Sequence, residues 1–118
     1  MANPLDLDND MARIRRRKSE ATAKGGQAGP CLLLLAEHHD SGQATRIAGF
    51  IASTYNGHVF PFDLYELRLV DEAIADHMLL CIDALRWAQA DLHTRVPDGD
   101  RRVRAVLEQH GLRWPEEL

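Results

Sequence analysis

Along the middle of the chain the apolar residues recur with a helical period. Ala44, Ile47, Ala48, Ile51, Ala52 and Tyr55 follow i, i+3, i+4, i+7, i+8, i+11, which gathers them on one face of a helix. Ser41 is placed to cap that helix, and Asn56-Gly57, a pair tolerant of left-handed backbone, is placed to end it. Upstream, Pro30 suits a first helical turn. The run Cys31 to His39, apolar at Leu32, Leu33, Leu35 and Ala36, predicts a first helix that Asp40-Ser41-Gly42 breaks.

Phe60-Pro61-Phe62-Asp63 predicts a short extended entry, with Asp63 capping a brief turn through Leu64, Tyr65, Glu66 and Leu67. Asp71 then predicts the start of the longest helix, about residues 72 to 90. At 100° per residue Val70, Ala73, Ile74, Met78, Leu80, Cys81, Ile82, Ala84, Leu85, Trp87 and Ala88 share one broad arc, as a central core helix requires. Pro97-Asp98-Gly99 signals a turn, and Val103, Val106 and Leu107 a last helix over 101 to 110. Gly111 is its stop, and Leu112 and Trp114 are expected to fold back as an apolar clasp. No strand pair and no internal repeat stands out. The expected fold is all-α, a compact bundle of about four helices with a short extra turn.

A length of 118 residues permits one domain, large enough to bury about two-thirds of its unfolded surface without a disulfide or metal. Cys31 and Cys81 lie far apart with no secretory signal, so they are expected to be reduced thiols of a cytoplasmic protein. The longest apolar run, Cys31 to Ala36, is six residues, far short of the roughly 20 that span a bilayer. Charge divides the chain. Residues 1 to 29 carry six basic and four acidic residues, whereas residues 30 to 118 carry eight basic and fourteen acidic. With few large apolar residues and a Lys24-Gly25-Gly26-Gln27-Ala28-Gly29 close, the first piece is expected to be a flexible basic arm and linker. Residues 30 to 118 are then the helical domain.

Asp40-Ser41-Gly42-Gln43, Arg46-Ile47-Ala48-Gly49-Phe50, Phe62-Asp63-Leu64 with Leu67, Val70-Asp71-Glu72-Ala73-Ile74-Ala75-Asp76 and Met78-Leu79 together resemble a small bacterial family of unknown function. That family is found on plasmids and integrative elements of proteobacteria. The resemblance covers about residues 31 to 92 and implies no chemistry, because the family has none assigned. The chain departs from the family's pattern in having Tyr55-Asn56 for its Trp-Asn, and His77 for its acidic residue.

The chemistry-bearing groups are few. His77 and Cys81, at i, i+4, could hold half of a metal site, with His38, His39 and His58 as the other donors in the sequence; a buried histidine beside a buried thiol is the expected reading. His38-His39-Asp40 lacks a nucleophile in a recognisable elbow, Ser41, Ser53, Cys31 and Cys81 being the choices. Asp6-Leu7-Asp8-Asn9-Asp10 starts like a calcium loop but continues with Met11 and Arg17 where Gly and Glu are needed. Gly25 to Gly29 lacks the Lys-Ser/Thr of a phosphate loop. No cofactor and no catalytic residue is expected.

Two surfaces remain. Arg13, Arg15, Arg16, Arg17 and Lys18 place five positive charges within six residues, able to contact phosphates. On the long helix Glu72, Asp76 and Asp83 fall at about 200° to 240°, with Leu79 beside them at about 180°. An apolar residue framed by carboxylates fits a partner-binding stripe. The expectation is a non-enzymatic protein-interaction module of a mobile genetic element, one version being an inhibitor of a host defence complex. The alternative is a nucleic-acid-binding accessory protein acting through its arginine-rich arm. No heptad seam argues for an oligomer.

Overall fold

The computed structural model describes residues 7 to 87 and 91 to 115. The described residues form four helices, α1 (Leu7–His38), α2 (Gly42–Asn56), α3 (Glu72–Arg86) and α4 (Gly99–Gln109). Single 3₁₀ turns at Leu64–Arg68 and Leu92–Arg95 punctuate the connections, and no strand occurs among the described residues. The all-α expectation holds.

The largest correction concerns residues 7 to 38. The segment expected to be a linker is helical throughout: Lys24 to Pro30 lies inside α1, and the arginine run lies about two to three turns from its start. Residues 1 to 6 of the expected arm lie outside the described residues. The glycines that read as punctuation are contact positions. A Cβ on Gly25 would stand 2.4 Å from the Ala84 Cβ and 3.1 Å from the Leu80 carbonyl oxygen, and one on Gly29 would stand 2.9 Å from Leu92. Their bare backbone lets α3 and the Leu92–Arg95 turn close onto α1. Burial of Ala21, Ala28, Leu32, Leu33 and Ala36 along the same helix offsets the helix-weakening effect of Gly and of Pro30, which removes one backbone bond.

α1, not α3, is thus the longest and central helix. α3 runs to Arg86 with Trp87 at its C-cap; residues 88 to 90 of the expected 72 to 90 span, Ala88 among them, lie outside the described residues, and within α3 only Met78 and Cys81 are fully buried. α2 buries Ala44, Ile47, Ala48, Phe50, Ile51 and Ala52, and α4 buries Val103, Val106 and Leu107, matching their apolar spacing. Phe50, Leu32, Leu33, Ile47, Ile51, Met78 and Leu107 fill the centre.

The helix ends explain the connections. Ser41 Oγ accepts the Ala44 N–H at 3.2 Å, the expected cap. Gly57 is right-handed, with φ −68°; the Asn56 side chain ends α2 instead, its Oδ1 accepting from the His58 and Val59 amides. Gly111 is left-handed, with φ 75°, and the Leu112 amide reaches back to the Leu107 carbonyl at 2.8 Å while the Gly111 amide reaches Glu108 at 3.1 Å. This paired closure stops α4 and turns Leu112 onto the core. Trp114 meets Phe60 edge-on at 5.2 Å, completing the clasp. In the Val96 to Gly99 turn Asp98, not the glycine, takes the left-handed position, with φ 55°. Gly99 is reserved for contact, since a Cβ there would fall 1.6 Å from the His93 carbonyl oxygen.

Candidate functional site: the outer face of α3

α3 turns Met78 and Cys81 inward, so residues on the opposite side face solvent. Glu72, Asp76, Leu79 and Asp83, spaced 4, 3 and 4 apart, share that outer side. Leu79 is 51% exposed next to Met78 at 0%. Asp83 is paired with Arg86, whose Nε donates to its carboxylate at 2.6 Å, and the Arg86 guanidinium lies 4.7 Å from the Trp87 ring centroid. One cation therefore offsets one of the three carboxylates.

Sequence spacing missed three further exposed apolar residues outside the helices. Leu64, Tyr65 and Leu69, on and just after the 3₁₀ turn that packs on α3, are exposed. That turn has five residues and buries none of them, so no periodic signal could mark its outer side.

The residues that carry the family resemblance have structural work instead. Gln43 and Asp71 hold each other: the Asp71 amide donates to Gln43 Oε1 at 2.6 Å, and Gln43 Nε2 donates to Asp71 Oδ2 at 3.2 Å. Asp71, expected to cap α3 with its own side chain, makes no such cap bond. Arg46 pairs with Glu66, Phe62 meets Phe50 edge-on at 5.3 Å, and Asp63 caps its turn by accepting from the Tyr65 amide at 2.9 Å. Together they latch the 57 to 71 connection onto α2.

The basic run does not form one charged stripe. Arg13, Arg15, Arg16 and Arg17 are exposed and Lys18 half-buried, and at 100° per residue they point all around α1. Arg13 lies 3.8 Å from Asp10, and Arg17 stacks 5.7 Å from the Trp87 ring centroid. Arg15 and Lys18 share a shallow surface hollow with Arg95, Ser19 and Thr22. Arg95, 80 residues further along the chain than Arg15, was not legible as a member.

The remaining candidates are held by the fold. Cys81 is buried as expected but His77 is only half-buried; its Nδ1 donates to its own helix at Ala73 O, 2.6 Å away, and among the described residues no three His, Cys, Asp or Glu gather as metal donors. Burial pushes the Cys81 thiol up to about 12. Ser41 is a cap, and Ser53 Oγ donates to the Phe50 carbonyl at 2.6 Å. His110, which the sequence did not single out, ties three helices: its Nε2 donates to the Ala36 carbonyl at 2.8 Å, leaving Nδ1 3.1 Å from Thr45 Oγ1. Gln109 Nε2 reaches the same carbonyl and Asp40 Oδ1 at 2.9 Å, so α4 satisfies the open carbonyl end of α1. Nearby, Arg102 grips Glu37 through two bonds of 3.0 and 2.7 Å, which holds the Glu37 carboxyl below its ordinary range. Tyr55 donates to Asp100 and accepts from Arg104 at 3.0 Å, with Arg104 stacked between the Tyr55 and Trp114 rings.

An all-α module whose polar side chains serve caps, latches and ion pairs, with one helix face left open, is the class these features define. Residues 26 to 111 match the Family of unknown function (DUF7673), and the chain belongs to that family. The match includes every residue quoted for the resemblance and begins within α1, after the arginine run. No curated protein and no solved structure matches the chain. Among the described residues no helix is long and apolar enough to cross a membrane.

Proposed function

We propose that the chain is a non-enzymatic protein-interaction module that binds through the outer face of α3. The observation that supports this reading is the exposure of Leu79 at 51% on the side that also carries Glu72, Asp76 and Asp83. An apolar anchor gives affinity once desolvated, and the surrounding carboxylates orient a partner that presents cations. The acidic balance of residues 30 to 118, fourteen acidic against eight basic, adds long-range attraction for such a partner. The setting proposed with it is cytoplasmic, on a plasmid or integrative element of proteobacteria. There the carboxylates would occupy phosphate-binding positions of a host defence complex.

Affinity purification of tagged chain from its host, with and without nuclease, tests the reading. Wild type is expected to recover a nuclease-resistant protein that Leu79→Arg with Asp83→Arg loses while keeping its far-UV dichroism. Unchanged recovery by the double variant sinks the face as the contact. The second reading, nucleic-acid binding through the arginine run, draws on the convergence of Arg15, Lys18 and Arg95 on one hollow. It predicts recovery that collapses on nuclease treatment and on deletion of residues 1 to 24.

A further inference from the structure

α1 outruns its partners. It pairs antiparallel with α3, Gly25 lying against Ala84 and Arg17 against Trp87 at the far end of α3, so the turns before Arg17 extend past that end. A helix of 32 residues is about 48 Å long, and the molecule measures 53 × 28 × 24 Å. The overhang is amphipathic in a particular way. Met11, Ile14, Lys18, Ala21, Gly25, Ala28 and Leu32 follow one another at steps of three and four residues, the spacing of a helix-pairing seam, which the expectation of a flexible arm had hidden. Downstream that seam is buried at Ala21, Ala28 and Leu32, yet at its upper end Met11 is 57% and Ile14 41% exposed. The seam has lost its partner there. Residues 7 to 18 also hold five basic residues against two acidic ones.

Resting on the reading of the α3 outer face as the contact, we propose that its partner is a second copy of this chain: in a two-fold dimer, the basic N-terminal turns of each α1 lie along the acidic outer face of the other copy's α3. The two surfaces complement each other in three respects. Met11 and Ile14 meet Leu79, burying apolar area that each copy leaves in water. Arg15, beside the seam, and Lys18, within it, meet Glu72 and Asp76, which make no ion pair within their own chain among the described residues. The lengths agree, since Asp8 to Lys18 and Glu72 to Asp83 each span about 16 Å of helix. A two-fold axis makes the contact twice and closes the assembly, leaving neither surface free to chain. A polyanion fits the overhang less well: it offers nothing apolar to Met11 and Ile14, and the acidic body repels it.

Sedimentation velocity on the purified full chain across concentration and salt reads the result. Wild type is expected to dimerise reversibly, with the dimer weakening as added salt screens the contact. Glu72→Lys with Asp76→Lys makes the face repel the overhang, and Arg15→Glu with Lys18→Glu makes the overhang repel the face; each double variant alone is expected to associate at least about tenfold more weakly than wild type. Mixed one to one, the two variants restore both contacts at once, and a heterodimer is expected at near wild-type strength. Far-UV dichroism of each variant confirms that its helices persist. A wild type that stays monomeric, variants that dimerise alone, or a mixture that stays monomeric overturns the dimer. A monomeric wild type that binds a short fluorescent DNA duplex, and loses it with Arg15→Glu and Lys18→Glu, overturns it in favour of nucleic acid. Because the readout uses purified chain only, a monomer whose α3 face still captures a foreign protein fails this inference and leaves the interaction module standing.

Discussion

Gly25→Ala and Gly49→Ala are the same chemical change inside two helices, and they are expected to act in opposite directions. In isolation each exchange favours the helix by about 1 kcal/mol, because alanine loses less backbone freedom on folding. At Gly49 the new methyl meets nothing within 4 Å, so most of that gain should appear as stability. At Gly25 the methyl would stand 2.4 Å from the Ala84 Cβ, more than 1 Å inside the usual carbon contact of about 3.5 to 4.0 Å. Neither carbon can swing away, and the Leu80 carbonyl oxygen at 3.1 Å blocks a sideways shift. α1 and α3 must separate along their main contact, an overpacking strain that typically costs about 1 to 3 kcal/mol. A contact as short as 2.4 Å calls on the upper part of that range, about 2 to 3 kcal/mol, so after the helical gain Gly25→Ala is expected to be destabilised by about 1 to 2 kcal/mol while Gly49→Ala gains about 0.5 to 1. Urea unfolding followed by far-UV dichroism, with a shared slope, measures both. Ala84→Gly in the Gly25→Ala background should recover about 1 kcal/mol beyond additivity, because the two positions touch. A Gly25→Ala chain as stable as wild type would refute the packing role given to this glycine, and with it the reading of α1 as one helix through Lys24 to Pro30.

Two other outcomes follow from side chains the fold holds. Arg102 lowers the Glu37 carboxyl below its ordinary value of 4.5, so the stability from this pair is complete above that value and is lost as pH falls through the depressed one. Glu37→Gln should therefore cost about 1 to 2 kcal/mol at neutral pH, with the gap to wild type closing only below pH 4.5; a gap independent of pH down through that region would show that the charge contributes nothing. With Cys81 buried and raised to about 12 and Cys31 exposed, the native chain should take up one equivalent of iodoacetamide at mildly alkaline pH and two when unfolded. Cys31→Ser should abolish the native reaction, and rapid double labelling of folded wild type would contradict the burial of Cys81.

The latch around Gln43 and Asp71 bears on what a resemblance can convey. Ser41, Gln43, Arg46, Phe62, Asp63 and Asp71 stand out as a motif, and in the fold they cap, pair and stack to hold the long connection between α2 and α3. These bonds account for the motif residues within the fold, and Arg46, Phe62 and Asp63 also line an open hollow with Gly42, Thr45, Gly49, Pro61 and Glu66. The proposed contact surface draws instead on side chains that the fold leaves in solvent, Leu79 with Glu72 and Asp76.

By itself the sequence determined the all-α class, the inward residues of α2 and α4, the caps at Ser41 and Asp63 and the stop at Gly111. Each of these depends on neighbours within a turn or two, where period and local hydrogen bonding decide the outcome. It also placed Glu72, Asp76, Leu79 and Asp83 on one side of a helix, since that relation is fixed by the helical repeat alone. Only the tertiary structure decided that Lys24 to Pro30 is helix. Glycine's local preference opposes it, and what overrides that preference is the approach of Ala84 and Leu92, residues about 60 positions away. For the same reason the leading role passed from α3 to α1, His110 became the tie between helix ends, and Arg95 joined Arg15 and Lys18. A contact between distant residues leaves no period in the chain, so it can be read only once the backbone has brought its members together.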